Sequence, residues 1–223
     1  MRDSAQEGES DTRMRRTSIW LVRHGQTELN RQQRYQGRGD SPLTAYGQRQ
    51  VAALAHRLRR IPFEVALVGP SGRTRVTAAA LLEGRATPAA PTEAPAWAET
   101  NHGQWEGLTY REVLARFPAE AEARFAAGAD GKPTGGESLA EVAARVGAAW
   151  ADLLRRYPGG RVLVVTHATP IQLVLCATTG MPATAHWHWR IDLGSVTCLD
   201  VYPAGAIIRM VNEVPRGASF SDT

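Results

Sequence analysis

The chain has 223 residues, 43% apolar and 22% charged, a balance that fits a globular protein and excludes a largely disordered one. Its apolar runs fall far short of the ~20 residues of a membrane span. The net charge of +4 rests on arginine, since Lys132 is the only lysine, and no basic stripe with stacking groups suggests a nucleic-acid partner.

Residues 1–17 are polar and lack the apolar stretch of a secretory signal, so they read as a loose tail on a cytoplasmic protein. Residues 19–22 are a short apolar run opening into Arg23-His24-Gly25, the profile of a buried parallel strand that feeds a loop. Helical periodicity follows from Thr44, which reads as the N-cap, to Leu58, with Pro62 beyond its end. Residues 65–68 form the next strand, broken at Gly69-Pro70 and followed by a helix from about Gly72 to Leu82. Residues 85–96 are proline-rich and read as a loop with at most a short strand.

Residues 110–125 are helical with an interruption near Pro118, and residues 128–136 form a glycine-rich loop. Ser138-Leu-Ala-Glu141 is a capping box that opens a long helix to about Tyr157, where Pro158-Gly159-Gly160 ends it. Residues 162–165 are the most strand-like run, and a helix follows from Pro170. Strands at about 191–202 and 207–211, joined by a turn near Pro203, close the chain. Cys176 and Cys198 lie in apolar segments without metal spacing and read as buried free thiols. Strands alternating with helices, with no repeat or linker, predict one α/β domain with a mostly parallel sheet over residues 18–215. A cap-like insertion at about 108–137 and a C-terminal tail at 216–223 complete that division.

In such sheets ligands bind beyond the carboxyl ends of the strands. Three predicted strands end in polar groups: Arg23 and His24 after the first, Arg73 at a helix start after the second, Thr166 and His167 after 162–165. An arginine at a helix start opposes the helix dipole, which is easier to understand if it holds an anion there. Two imidazoles and two guanidiniums at equivalent strand ends suggest an anion site containing a nucleophile or acid/base.

These residues carry a resemblance. Leu21-Val-Arg-His-Gly-Gln-Thr-Glu-Leu-Asn30 resembles the LVRHGxTxxN signature of the histidine phosphatase superfamily, in its phosphoglycerate-mutase-like branch. Gln36-Gly37, Arg73-Thr-Arg-Val-Thr-Ala78, the segment Glu99 to Gly107, Gly135-Gly-Glu-Ser138 and His167 are similar to further family motifs. The fold implied is a three-layer α/β/α sandwich of the phosphoglycerate-mutase type. The resemblance implies catalytic roles for His24, Glu99, His167, Arg23 and Arg73, and substrate contacts from Asn30, Gln36, Gly37 and Ala168. It departs where Ala168 stands for the family's glycine, Gly69 for its serine and Ser71 for its leucine.

The implied chemistry is phosphoryl transfer to His24, with arginines neutralising the phosphate, Glu99 giving a proton to the leaving alkoxide, and no metal or cofactor. The expected partner is a small phosphorylated substrate, with neither nucleic acid nor membrane. A phosphomonoesterase is favoured over a phosphoglycerate mutase, because mutases of this type carry extra basic segments between the acid and the second histidine. Here about sixty residues separate Gly107 from His167. A non-catalytic phosphate-binding protein is the third reading. Family members similar in this region include broad-specificity acid phosphatases and α-ribazole-phosphate phosphatases. Glu106 is a rival acid or else a cap for the helix near Leu108. His102 is an exposed loop imidazole or part of the pocket mouth. His186 and His188 give only a weak metal signal, and Trp187 with Trp189 suggests a contact surface for a possible homodimer.

Overall fold

A computed structural model describes residues 15–85, 90–126 and 128–215. Strand β1 (Thr17–Arg23) leads to a one-turn helix α1 (Glu28–Arg31) and then α2 (Ala45–Leu58), which Thr44 caps through Gly47 N. Strand β2 (Val65–Val68) feeds α3 (Gly72–Leu82), and β3 (Thr92–Glu93) is a two-residue edge strand. Helices α4 (Tyr110–Arg116) and α5 (Pro118–Ala126) are separated at Phe117, the expected break. Then come α6 (Leu139–Arg156), β4 (Arg161–Thr166), α7 (Ala168–Thr179), β5 (Val196–Tyr202) and β6 (Gly205–Glu213).

The six strands form one sheet in the order β3-β2-β4-β1-β5-β6. Pairs β3–β2, β2–β4 and β4–β1 are parallel, while β1–β5 and β5–β6 are antiparallel. The sequences of β1, β2 and β4 read as nearly continuous apolar runs because both faces of these strands are covered. Ile19, Leu21, Val162 and Val164 point to one side, against Val142 and Leu153 of α6 and Ile171 and Val174 of α7. Trp20, Val22, Leu163 and Val165 point to the other, against Leu54 and Leu58 of α2 and Ala78 and Leu81 of α3. Each such aliphatic side chain contributes roughly 1.5–3 kcal/mol by leaving water. This is the three-layer sandwich implied by the resemblance.

The differences are local. Helix α1, unpredicted, is too short for periodicity to reveal; a reciprocal cap between Thr27 and Asn30 makes it. Helix α7 starts at Ala168 rather than Pro170, since a proline in the first turn lacks only an N–H that has no helical partner. The strand predicted from 191 starts at Val196, after the turn at 192–195. Trp189, expected to be exposed, packs partly buried against the core, whereas Trp187 is 68% exposed. Thr17, the last residue of the tail predicted at 1–17, already belongs to β1; residues 1–14 of that tail and the tail predicted at 216–223 lie outside the described residues. Both cysteines are free and buried. Among the described residues no helix is long and apolar enough to cross a membrane.

Candidate active site

The register of β1 against β4 pairs Arg23 with Thr166, so the residues that follow, His24 and His167, leave the sheet side by side. Their rings meet edge to face with centroids 5.1 Å apart. Arg73 enters from the other neighbour of β4, in the first turn of α3, and is only 2% exposed.

All five N–H groups of Arg73 have partners. Nε donates to His24 Nε2 at 3.2 Å; Nη1 donates to Gly39 O at 2.8 Å and Asp40 Oδ1 at 3.2 Å. Nη2 donates to Gly37 O at 2.8 Å and His167 Nδ1 at 3.3 Å. A guanidinium can only donate, so these contacts set both tautomers. His24 keeps its proton on Nδ1, 2.8 Å from Gly25 O, and its lone pair on Nε2. His167 carries its proton on Nε2, which is buried without a partner. Arg23 donates from Nη1 to Ile191 O at 2.6 Å, and its Nε is likewise buried and unpartnered. Two buried donors without protein partners in one cluster suit an anionic ligand. Burial, with the charges of Arg73 and Arg23, holds His24 well below the ordinary imidazole range; burial, with His24 and both arginines, does the same to His167.

Glu99 closes the set. It follows the one-turn 3₁₀ helix Pro95–Trp97, is buried, and its charge reaches both Arg23 and Arg73. Oε1 accepts from Thr100 N at 2.8 Å, and Oε2 lies 3.5 Å from Thr169 N in the first turn of α7. Sequence reasoning missed the residue that holds this segment. Arg145, in mid-α6, donates to Ala96 O, Ala98 O and Glu99 O at 3.0, 2.8 and 2.9 Å. Its remaining donors meet Glu137, Nε to Oε1 at 2.8 Å and Nη2 to Oε2 at 3.0 Å. Burial pushes the Glu137 carboxyl up, but hydrogen bonds from Arg145 and Asn101 N bring it down to about 2. Gln50 was missed too. It accepts from Gln26 N at 2.9 Å and donates to Leu193 O at 2.8 Å, tying the loop after His24 to the loop before β5.

The residues expected to contact substrate are placed as follows. Asn30 Oδ1 accepts from Thr27 N, which commits its oxygen and leaves the NH2 as donor. Gln36 spends its amide on Thr27 and Ser41. Gly37 presents its carbonyl to Arg73, and a Cβ there would lie 2.0 Å from Thr100 O, so only glycine lets this loop close. Ala168 is the first residue of α7. A Cβ on Gly69, where the family has serine, would lie 3.0 Å from Trp97 O and 3.4 Å from His167 Nε2, so the backbone there packs closely against both.

Glu106 does not cap a helix: Thr109 and Glu112 cap α4 reciprocally, and the Glu106 carboxylate accepts backbone N–H groups from the 37–39 loop instead. His102, one reading of which was an exposed imidazole, is half-buried against Tyr35 with centroids 4.9 Å apart. His186 Nδ1 meets Ala183 O at 3.1 Å, and His188 stacks on Trp187.

The sequence and the fold are similar to those of known proteins. The sequence model of the histidine phosphatase superfamily (branch 1) matches residues 19–214. A Mycobacterium tuberculosis protein named as bifunctional is 36% identical over 88% of this chain, which spans only 54% of that relative's length. The adenosylcobalamin/α-ribazole phosphatase of Escherichia coli is 30% identical over 87% of this chain and 95% of its own. Among solved structures, a putative α-ribazole-5'-P phosphatase from E. coli superposes with a TM-score of 0.83 at 30% identity, over 89% of this chain and 97% of that one. The α-ribazole phosphatase of Shigella flexneri superposes at 0.82 and 29% identity, over the same shares. With the family model spanning nearly the whole described fold and the paired histidines at its strand ends, the chain belongs to the histidine phosphatase superfamily, branch 1.

Proposed function

We propose that the protein is a cofactor-independent phosphomonoesterase that hydrolyses small phosphorylated metabolites through a phosphohistidine on His24. The observation that carries this reading is the state of His24: buried, neutral, with its Nδ1 proton held by Gly25 O and its Nε2 lone pair against Arg73. A neutral ring nitrogen under two guanidiniums is a nucleophile already beside the charge that its target phosphate brings.

Substrate phosphate takes the Nε and Nη2 donors of Arg73 from the two imidazoles, and takes the unpartnered donors Arg23 Nε and His167 Nε2. His24 Nε2 attacks phosphorus in line as the P–O bond to the leaving alcohol breaks, and Glu99 hands that oxygen a proton. Glu99, now carboxylate, takes a proton from the water that attacks the phosphohistidine, which releases inorganic phosphate and restores His24. The arginines supply the neutralising charge that a divalent ion supplies in other phosphoryl-transfer sites.

Substrate choice is open to a panel of phosphorylated metabolites, with α-ribazole phosphate and phosphoserine included because similar proteins are named for them. The test is phosphate release together with isolation of an acid-labile phosphoryl group on wild type and not on folded His24→Ala. Efficient isomerisation of 3-phosphoglycerate with negligible hydrolysis, or full turnover by His24→Ala, overturns the proposal.

A further inference from the structure

We infer that Glu106 is a positioning residue for the anion site: its carboxylate fixes the 37–39 loop, and the loop's carbonyls in turn hold the Arg73 guanidinium. This rests on the function proposed above.

Glu106 follows the 3₁₀ turn Gly103–Trp105, where Trp105 is buried against Tyr35 and Val113. From that anchor its carboxylate collects four backbone N–H groups. Oε1 accepts from Gly37 N at 3.0 Å, Arg38 N at 2.9 Å and His102 N at 3.2 Å; Oε2 accepts from Gly39 N at 3.2 Å and lies 3.1 Å from Gly37 N. Three consecutive amides converging on one anion form a nest of the kind that elsewhere binds phosphate. Here the protein fills the nest itself.

Filling it orients the loop. With their N–H groups turned to Glu106, Gly37 and Gly39 present their carbonyls to Arg73 at 2.8 Å each. Two of these three residues are glycines, with no side chain to set the loop's path. The Glu106 charge also favours the Arg73 cation directly. Arg73 reaches both imidazoles with the donors that remain. Glu106 is therefore one step removed from the anion, and both its oxygens are occupied by amides, which separates its task from proton donation by Glu99.

The experiment measures inorganic phosphate binding by calorimetry, and the ratio of aryl to alkyl phosphate turnover, in wild type, Glu106→Gln and Glu106→Asp. Glu106→Gln is expected to weaken phosphate about tenfold, the scale of a charge-assisted hydrogen bond. The turnover ratio stays as in wild type, and Glu106→Asp recovers part of the affinity. Unchanged phosphate affinity in a folded Glu106→Gln, even with a lower Tm, overturns the inference. A loss confined to alkyl phosphates overturns it too, by making Glu106 the proton donor. If neither variant folds, amide exchange in wild type decides: protected Gly37, Arg38, Gly39 and His102 amides support the nest, and rapid exchange overturns it. Wild type that binds no phosphate overturns the proposed function itself, and so is told apart from a failure confined to Glu106.

Discussion

The lone pair of His24 Nε2 lies against the Arg73 guanidinium, and that contact fixes which ring nitrogen carries the proton. Burial and the guanidiniums keep His24 and His167 neutral where free imidazoles would be half protonated. Both folded values lie below the unfolded value of about 6.5, so below that pH the unfolded chain binds protons that the native chain refuses. Stability is therefore unaffected by these groups above about pH 6.5 and falls as pH drops through it, by up to about 1.4 kcal/mol per pH unit for each ring. Urea unfolding of wild type and His24→Gln between pH 5 and 7 checks this, and the variant should show the shallower loss. Glu99 makes a different prediction. Glu99→Gln should slow alkyl phosphates at least a hundredfold while aryl phosphates lose much less, because an aryl oxide leaves without help. Equal slowing across leaving groups would remove Glu99 as the acid. The triad of Arg23, His24 and His167 was legible because continuous apolar runs end at those residues, and a strand end is where α/β sheets place ligands. Glu106 was not legible: its partners at 37–39 lie 67 to 69 residues away, and nothing local separates a nest anchor from a helix cap.

Among the elements, helix α6 carries a task beyond packing. Its capping box at Ser138 sets the start of the helix beside Glu137, and two turns on Arg145 reaches across to three carbonyls of the segment that ends in Glu99. Replacing Arg145 by Ala takes this donor from those carbonyls and leaves the Glu137 carboxylate with Asn101 N and the exposed Arg38 alone. The expected cost is about 2–3 kcal/mol, at the lower edge of breaking a buried pair since both side chains are 19% exposed. Turnover should fall with it, as Glu99 loses its fixed backbone. Arg145→Lys should not rescue either property, because one ammonium cannot meet a planar array of acceptors. Thermal unfolding and kcat on one substrate check both statements. The helix itself was readable from Ser138-Leu-Ala-Glu141, whose reciprocal cap is encoded within four residues. The role of Arg145 was not, because a mid-helix arginine reads as solvated until the facing loop is known. The same limit applied to β5, whose predicted start took in the 191–195 turn that anchors Arg23 through Ile191 O.

At the scale of the whole molecule, alternation of strands and helices foretold the α/β sandwich, but not the order of its strands. That order has a physical consequence. β4 lies between β1 and β2, yet it stands some 140 residues after the start of β1 in the chain. Among the described residues β1 pairs with β4 and β5 alone, both from the last third of the sequence. A nascent chain emerging from the ribosome therefore holds β1 with no partner, and β2 with only the two-residue β3, until about residue 166 is out. Unpaired apolar edges of that kind are sticky, and pairings so distant in sequence form late. A fragment ending at residue 160 should be expressed without cooperative unfolding and go largely to the insoluble fraction, whereas one ending at 215 should fold. A soluble, cooperatively melting 1–160 fragment would show that this N-terminal portion finds another partner for β1. The same topology makes the paired imidazoles a product of the nearly finished chain: His24 waits through most of synthesis for the strand that brings His167 beside it.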